Sequence, residues 1–153
     1  MGSTDFISLD DSLWPLLVAG FVGLPTLQQQ EEHFAQLLIH LRREEKCLLI
    51  LDTRQVRMMT GEHRQKLVQF AREHHALIRT QVLGCAAVIT SPVMKLAASL
   101  VLHFSPPPMP YFITHSLPEA ARWTAKCLDG AGQSHAAERI RVHLGPPLES
   151  LAG

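Results

Sequence analysis

Apolar positions along this chain follow two rhythms, short unbroken runs and stripes spaced three and four residues apart. Runs of the first kind fall at Leu13–Phe21 (LWPLLVAGF), Cys47–Leu51 (CLLIL), Val82–Thr90 (VLGCAAVIT) and, shorter, Met109–Thr114 (MPYFIT). Each is bounded by turn-forming residues and reads as a strand. The runs at 47–51 and 82–90 are apolar on both faces, which places them in the middle of a sheet covered on both sides. Pro15 and Pro110 each remove a backbone donor, so their strands should start there or lie at an edge. Residues 1–12 are polar and read as frayed.

Stripes of helical period lie between the runs. Thr26-Leu27-Gln28-Gln29 is a capping box ahead of Leu27, Phe34, Leu37, Leu38 and Leu41, an amphipathic helix that stops near Glu45. Asp52-Thr53 opens a turn, and Thr60 launches a helix from Gly61 to about Ile78. That helix buries Leu67, Phe70, Ala71, His74 and Ile78, with Glu62 and Lys66 as a surface pair. Ser91-Pro92 supplies an N-cap and an N1 proline for a helix to about Phe104. This one is apolar nearly all round, broken only by Lys95, Ser99 and His103. One sheet face rarely covers so wide an arc, so Met94, Leu100, Val101 and Leu102 read as a candidate interface, the alternative being cover by the C-terminal tail. Ser105-Pro106-Pro107-Pro108 is a stiff linker, and Ser116–Glu119 is a capping box for a helix carrying Ala120, Trp123, Ala125, Cys127 and Leu128.

The order over residues 13–128 is therefore βαβαβαβα. It predicts one α/β domain with a four-to-five-stranded, mostly parallel sheet flanked by helices. Residues 129–153 form a short C-terminal extension. Within it, Ala136, Ile140 and Leu144 suit a helix, while Ile140, Val142 and Leu144 alternate with polar residues as a strand would; the helix is favoured.

Composition narrows the function. At 153 residues the chain can bury about two-thirds of its surface without staples. Fourteen basic residues balance fourteen acidic ones, which argues against nucleic acid or an anionic membrane surface as the main partner. Cys47, Cys85 and Cys127 are far apart among aliphatic residues and read as reduced thiols of a cytoplasmic protein. No apolar stretch reaches the roughly 18 residues a membrane helix needs. No histidine pair at i,i+4, phosphate-binding glycine loop, G-x-S-x-G or paired carboxylate motif is present. His63 and His74 share a helix face but would lie about 16 Å apart, too far to share one ion. No metal, no cofactor and no catalytic residue is expected.

The strand exit LLILDTRQV, the helix start TGEHR, the junction AAVITSPVMK and the closing YFITHSLPEAARW, in that order, resemble the STAS domain of bacterial anti-sigma-factor antagonists. More closely, they resemble its divergent branch that shades into CRAL-TRIO-type lipid-binding domains. The resemblance implies a STAS-like fold and a role in signalling or regulation. The family has an aspartate at the strand end, matched by Asp52, and an Asp-Ser pair at a helix N-terminus whose serine takes a phosphate. Here Thr60 and Gly61 stand at that pair, so the family's switch does not carry over to position 61, and Thr60 is the neighbouring hydroxyl.

In parallel α/β sheets partners meet the crevice beyond the strand carboxyl ends. Asp52, Thr53, Arg54, Thr60, Gly61, Arg64, Thr90 and Ser91, with His115, would then form a partner-binding rim, unless Asp52 simply pairs with Arg54 or Arg64 to hold the loop. Two functions follow. The first is a non-catalytic protein-interaction module with an unidentified protein partner, which could be a second copy in a homodimer. The alternative is a carrier or sensor of a small apolar ligand held between sheet and helices, framed by Gly84, Ala86, Ala87, Ala97 and Ala98.

Overall fold

In the computed structural model, which describes residues 5–145, two strands precede the first helix. β1 (Phe6–Leu13) and β2 (Leu16–Gly23) form an antiparallel hairpin, with a bulge in β1 between Asp10 and Leu13 and a cis bond between Trp14 and Pro15. Residues 6–12 are thus a strand and not a frayed lead-in. Their side chains alternate between exposed and half-buried up to Asp10, so only every second position meets the protein, and the outward ones are free to be polar.

The chain continues as α1 (Leu27–Leu41), β3 (Cys47–Val56), α2 (Gly61–Glu73), α3 (His75–Gln81), β4 (Val82–Val88), α4 (Pro92–Phe104), β5 (Tyr111–Thr114), α5 (Leu117–Gly130) and α6 (Ser134–His143). The strands lie side by side in the order β1-β2-β3-β4-β5. β2, β3, β4 and β5 pair in parallel, so the sheet is mostly parallel with one antiparallel edge, and β3 is central.

Strand alternation sorts the core into two layers. Leu48 and Ile50 of β3 pack with Ala86, Val88, Ala120, Ala121, Ala125 and Leu128 under α5 and α6. Cys47, Leu49 and Leu51 face the other way, toward Leu37, Leu41, Phe70 and Ile78 of α1–α3. On the α5 side, a Cβ at Gly84 would come within 2.9 Å of the Trp123 ring, so glycine lets the indole lie close to β4. Trp123 stacks in turn on Phe112 of β5 at 5.7 Å.

The caps form where their sequences place them. The capping box expected at Ser116–Glu119 does not close, because the Ser116 amide donates to Thr114 Oγ1 at 3.2 Å and Glu119 accepts from the Thr114 hydroxyl at 2.6 Å. The Thr26 hydroxyl accepts from the Gln29 amide and the Gln29 side chain accepts from the Thr26 amide. Ser91 and Ser116 cap α4 and α5. Several expectations give way. The helix expected over 61–78 breaks at His74, whose ψ of 22° leaves the helical region. Lys66 reaches across to Glu31 of α1 at 3.0 Å instead of pairing with Glu62. β3 runs on to Val56, so Asp52 and Thr53 lie inside the strand and do not start a turn. Residues 134–143 are helical, and α6 adds Ala136, Ala137 and Ile140 to the α5 core. Of the wide apolar surface of α4, only Met94 and Ala97 are buried. The tail beyond residue 145, offered as its cover, lies outside the described residues.

Candidate functional site: a cavity between the sheet and α1–α3

A cavity of about 230 Å³ separates the second face of the sheet from the helices above it. Its floor is Leu49 and Leu51 of β3, Cys85 of β4 and Phe21 of β2; its roof is Phe34, Leu37 and Leu41 of α1 with Leu67, Phe70 and Ala71 of α2. The Phe34 and Phe70 rings stack at 4.3 Å and tie the two helices together over it. Met58, Met59, Met94 and Met109 complete the wall, unbranched side chains that adapt to different shapes. Met58 is 52% exposed and carries the lining out to the surface between β3 and α2. An engineered cavity of about 150 Å³ holds one benzene, so this volume suits about nine non-hydrogen atoms.

None of the lining residues is Asp, Glu, Lys or Arg. Four are polar: Gln30, His33, Thr53 and His63. The Thr53 hydroxyl donates to the Val88 carbonyl at 2.8 Å. His63 is engaged at both ring nitrogens. Its Nε2 lies 2.8 Å from the Pro25 carbonyl, an acceptor only, so the hydrogen sits there; Nδ1 then accepts from the Thr60 hydroxyl at 2.5 Å. Thr60 also caps α2 by accepting from the His63 amide at 3.2 Å. Gln30 donates through Nε2 to the His63 carbonyl at 3.0 Å. Burial pushes the His33 imidazole down to about 4, so the ring is neutral at ordinary pH. Its neighbours are the Phe21 and Phe34 rings, with centroids 5.4 and 5.9 Å away.

The rim residues stand on β3 and at the starts of α2 and α4. Asp52 pairs in register with Val88, whose side chain belongs to the α5 layer, whereas Thr53, one residue on, lines the cavity on the opposite face. Arg54 clasps Asp52 through Nε and Nη2, at 2.9 and 2.8 Å. Burial would raise the Asp52 carboxyl, but the Arg54 hydrogen bonds and charge outweigh it and hold the group below its ordinary value. Thr60, Gly61 and Arg64 sit at the start of α2, where Arg64 donates to the Met59 carbonyl at 3.3 Å. Ser91 caps α4, with exposed Thr90 before it, and His115 is exposed after β5. Of the proposed interface residues, Met94 is buried in the cavity wall and Leu100 is exposed, while Val101 and Leu102 are half-buried. The open face of α4 is instead Val93, Leu96, Leu100 and Phe104.

The small residues expected to frame a ligand are not its walls: Gly84 and Ala86 pack toward α5, and Ala87, Ala97 and Ala98 do not line the cavity. Among the lining residues that sequence reasoning passed over are Gln30, His33, Met58 and Met59. Their signal was present, since Gln30 occupies a slot in the apolar stripe Leu27, Phe34, Leu37 and Leu41. Among the described residues no group of three or more His, Cys, Asp or Glu stands within reach of one metal ion. No described helix is long and apolar enough to cross a membrane.

No protein-family profile matches the chain, and no curated protein does. Among solved structures it is similar to the crystal structure of an uncharacterized protein from the DUF3478 family with a SpoIIAA-like fold, from Shewanella loihica PV-4. The two align with a TM-score of 0.59 over 80% of this chain and 97% of that one, at 13% identity. The chain has a SpoIIAA-like, STAS-type α/β fold.

Proposed function

We propose that this protein is a non-catalytic module that takes up a small apolar molecule between its sheet and α1–α3, as a carrier or sensor. The observation that carries the reading is the cavity itself, about 230 Å³ with no charged residue in its lining. Close packing is the rule in protein interiors, and unfilled core volume costs about 24 cal/mol per Å³ in engineered cavities. A bound apolar molecule would supply contacts that this lining lacks. The rim offers less. Asp52 and Arg54 neutralise each other, and the Thr60 hydroxyl is committed to His63.

One observation favours a second reading, a protein-interaction module in signalling or regulation. Val93, Leu96 and Phe104 of α4 are each at least 64% exposed and Leu100 is 40% exposed, an apolar face of the kind that marks interaction surfaces. Its simplest form is a homodimer through α4. Native mass spectrometry of the purified protein tests both readings. A ligand site predicts an adduct that leaves on denaturation, and added small aromatic or aliphatic molecules that bind with one-to-one stoichiometry. A doubled protein mass without any adduct, and no uptake of added molecules, would replace the first reading by the second.

A further inference from the structure

An open groove of about 560 Å³ lies between α2 and α4 and shares no lining residue with the cavity. Its α4 wall is apolar, formed by Leu100, Val101 and Phe104, and both Leu100 and Phe104 are exposed. On the α2 wall Arg64, Val68 and Arg72 recur at intervals of four residues, which sets them along one stripe of the helix. The two arginines stand about 12 Å apart along its axis, with half-buried Val68 between them. Among the described residues neither arginine meets a carboxylate; Arg64 donates to the Met59 carbonyl at 3.3 Å. Glu73 is the one carboxylate in the lining, and it accepts from the Gln69 side chain at 2.9 Å. α4 adds Lys95 and His103 and contains no Asp or Glu. An apolar strip is thus bordered by bases.

We propose that this groove seats an acidic amphipathic helix of a protein partner. The partner's apolar stripe lies against Val68, Leu100, Val101 and Phe104, and its flanking carboxylates meet Arg64 and Arg72. This deepens the reading of α4 as an interaction face and rests on it; the cavity is not involved. A helix engages a groove through side chains at every third or fourth position. Carboxylates about two turns apart on its flank match the arginine spacing, and guanidinium forks suit carboxylates. A second copy fits less well, because its α4 brings Lys95 and His103 without a carboxylate and would set base against base. An anionic bilayer would touch the ridge of Val93, Leu96, Leu100 and Phe104 but leave the recessed Val68 and Val101 uncovered. The chain's net charge of zero also gives it no long-range pull toward such a surface.

The test is fluorescence anisotropy with a labelled helical peptide of about 18 residues, roughly 27 Å long. Its leucines recur at every third or fourth position between flanking glutamates, and two further peptides carry glutamine or lysine in place of each glutamate. We expect the wild type to bind the glutamate peptide at least about tenfold more tightly than the glutamine peptide. Arg72→Glu, at an exposed side chain, should weaken the glutamate peptide about tenfold and turn the preference toward the lysine peptide. Phe104→Ser should weaken the glutamate and glutamine peptides alike. Equal binding of those two peptides, lost in Phe104→Ser, overturns the acidic partner while keeping α4 as an interaction face. So does an Arg72→Glu variant that holds the glutamate peptide as before. Sedimentation of the protein alone and flotation with phosphatidylserine–phosphatidylcholine vesicles cover the other occupants. A dimer or vesicle binding that Phe104→Ser abolishes, without peptide uptake, replaces the helix by a second copy or a bilayer. A monomer that takes up neither peptide nor vesicle removes the interaction face itself, and this inference with it.

Discussion

On one side of the sheet α5 and α6 press Ala120, Ala121, Ala125, Ala136 and Ala137 against Leu48, Ile50 and Val88, all of them at most 8% exposed. On the other side α1–α3 stand off the strands on aromatic rings and methionines, with about 230 Å³ left between. The contrast has a simple chemical origin. Alanine lets a helix backbone approach the sheet, whereas Phe, Leu and Met hold it away and pack adaptably. One layer therefore carries rigidity and the other carries room to accommodate something. Binding regions are drawn from the less tightly built parts of a fold.

Truncation should separate the layers most sharply. Leu128→Ala, at a site with no exposure, should lower unfolding stability by about 3–5 kcal/mol. Leu51→Ala, in the cavity floor, should cost about 1–2 kcal/mol, because part of that side chain already lacks neighbours. Urea denaturation of both variants checks this; equal losses would mean that the layers are packed alike.

Acid should act on the cavity side next. His33 titrates near 4 when folded against 6.5 when free, so between those values the unfolded chain holds a proton that the folded one refuses. Stability should therefore fall as pH drops from about 6.5 to about 4 and level off below, by up to roughly 3 kcal/mol from this group. Denaturation at pH 7 and pH 4.5 should show most of that slope missing in His33→Leu; identical slopes in variant and wild type would assign it to other groups.

The smallest effects come from adding atoms, and here the two faces should differ in sign. Ala125→Leu, in the filled layer, should destabilise by about 2 kcal/mol through overpacking. Ala71→Leu, in the cavity roof, should stabilise the ligand-free protein by about 1 kcal/mol while blocking uptake of small molecules. Thermal melts with and without propylbenzene read both.

The frame of this protein was legible from sequence for physical reasons. Leu48–Leu51 and Val82–Val88 announce a doubly covered sheet because they are apolar on both faces, and the caps at Thr26, Thr60, Ser91 and Ser116 are readable because capping is local. β1 was not readable, since an edge strand with outward Ser8 and Asp10 looks like any polar segment. The break at His74 hid because the apolar stripe runs on through Phe70 and Ile78 on either side of it. The cavity was the least legible feature. A void is set by how far three helices stand from a sheet, which no periodicity encodes. Only Gln30 within an apolar stripe hinted at it. The placement of Asp52 and Thr53 was hidden for a related reason: strand alternation beyond Leu51 sends them to opposite faces, and the expected turn at Asp52 concealed this.

Both margins of the sheet are closed to strand addition by different means. β1 ends in a bulge next to the exposed Asp10 and Asp11, and β5 offers only four residues, Tyr111–Thr114. Charges, irregular backbone and brevity are the ordinary guards against edge-to-edge zippering and fibril growth. A molecule so protected can display the oily flank of α4 without polymerising through its backbone, and any visitor must engage it side chain to side chain.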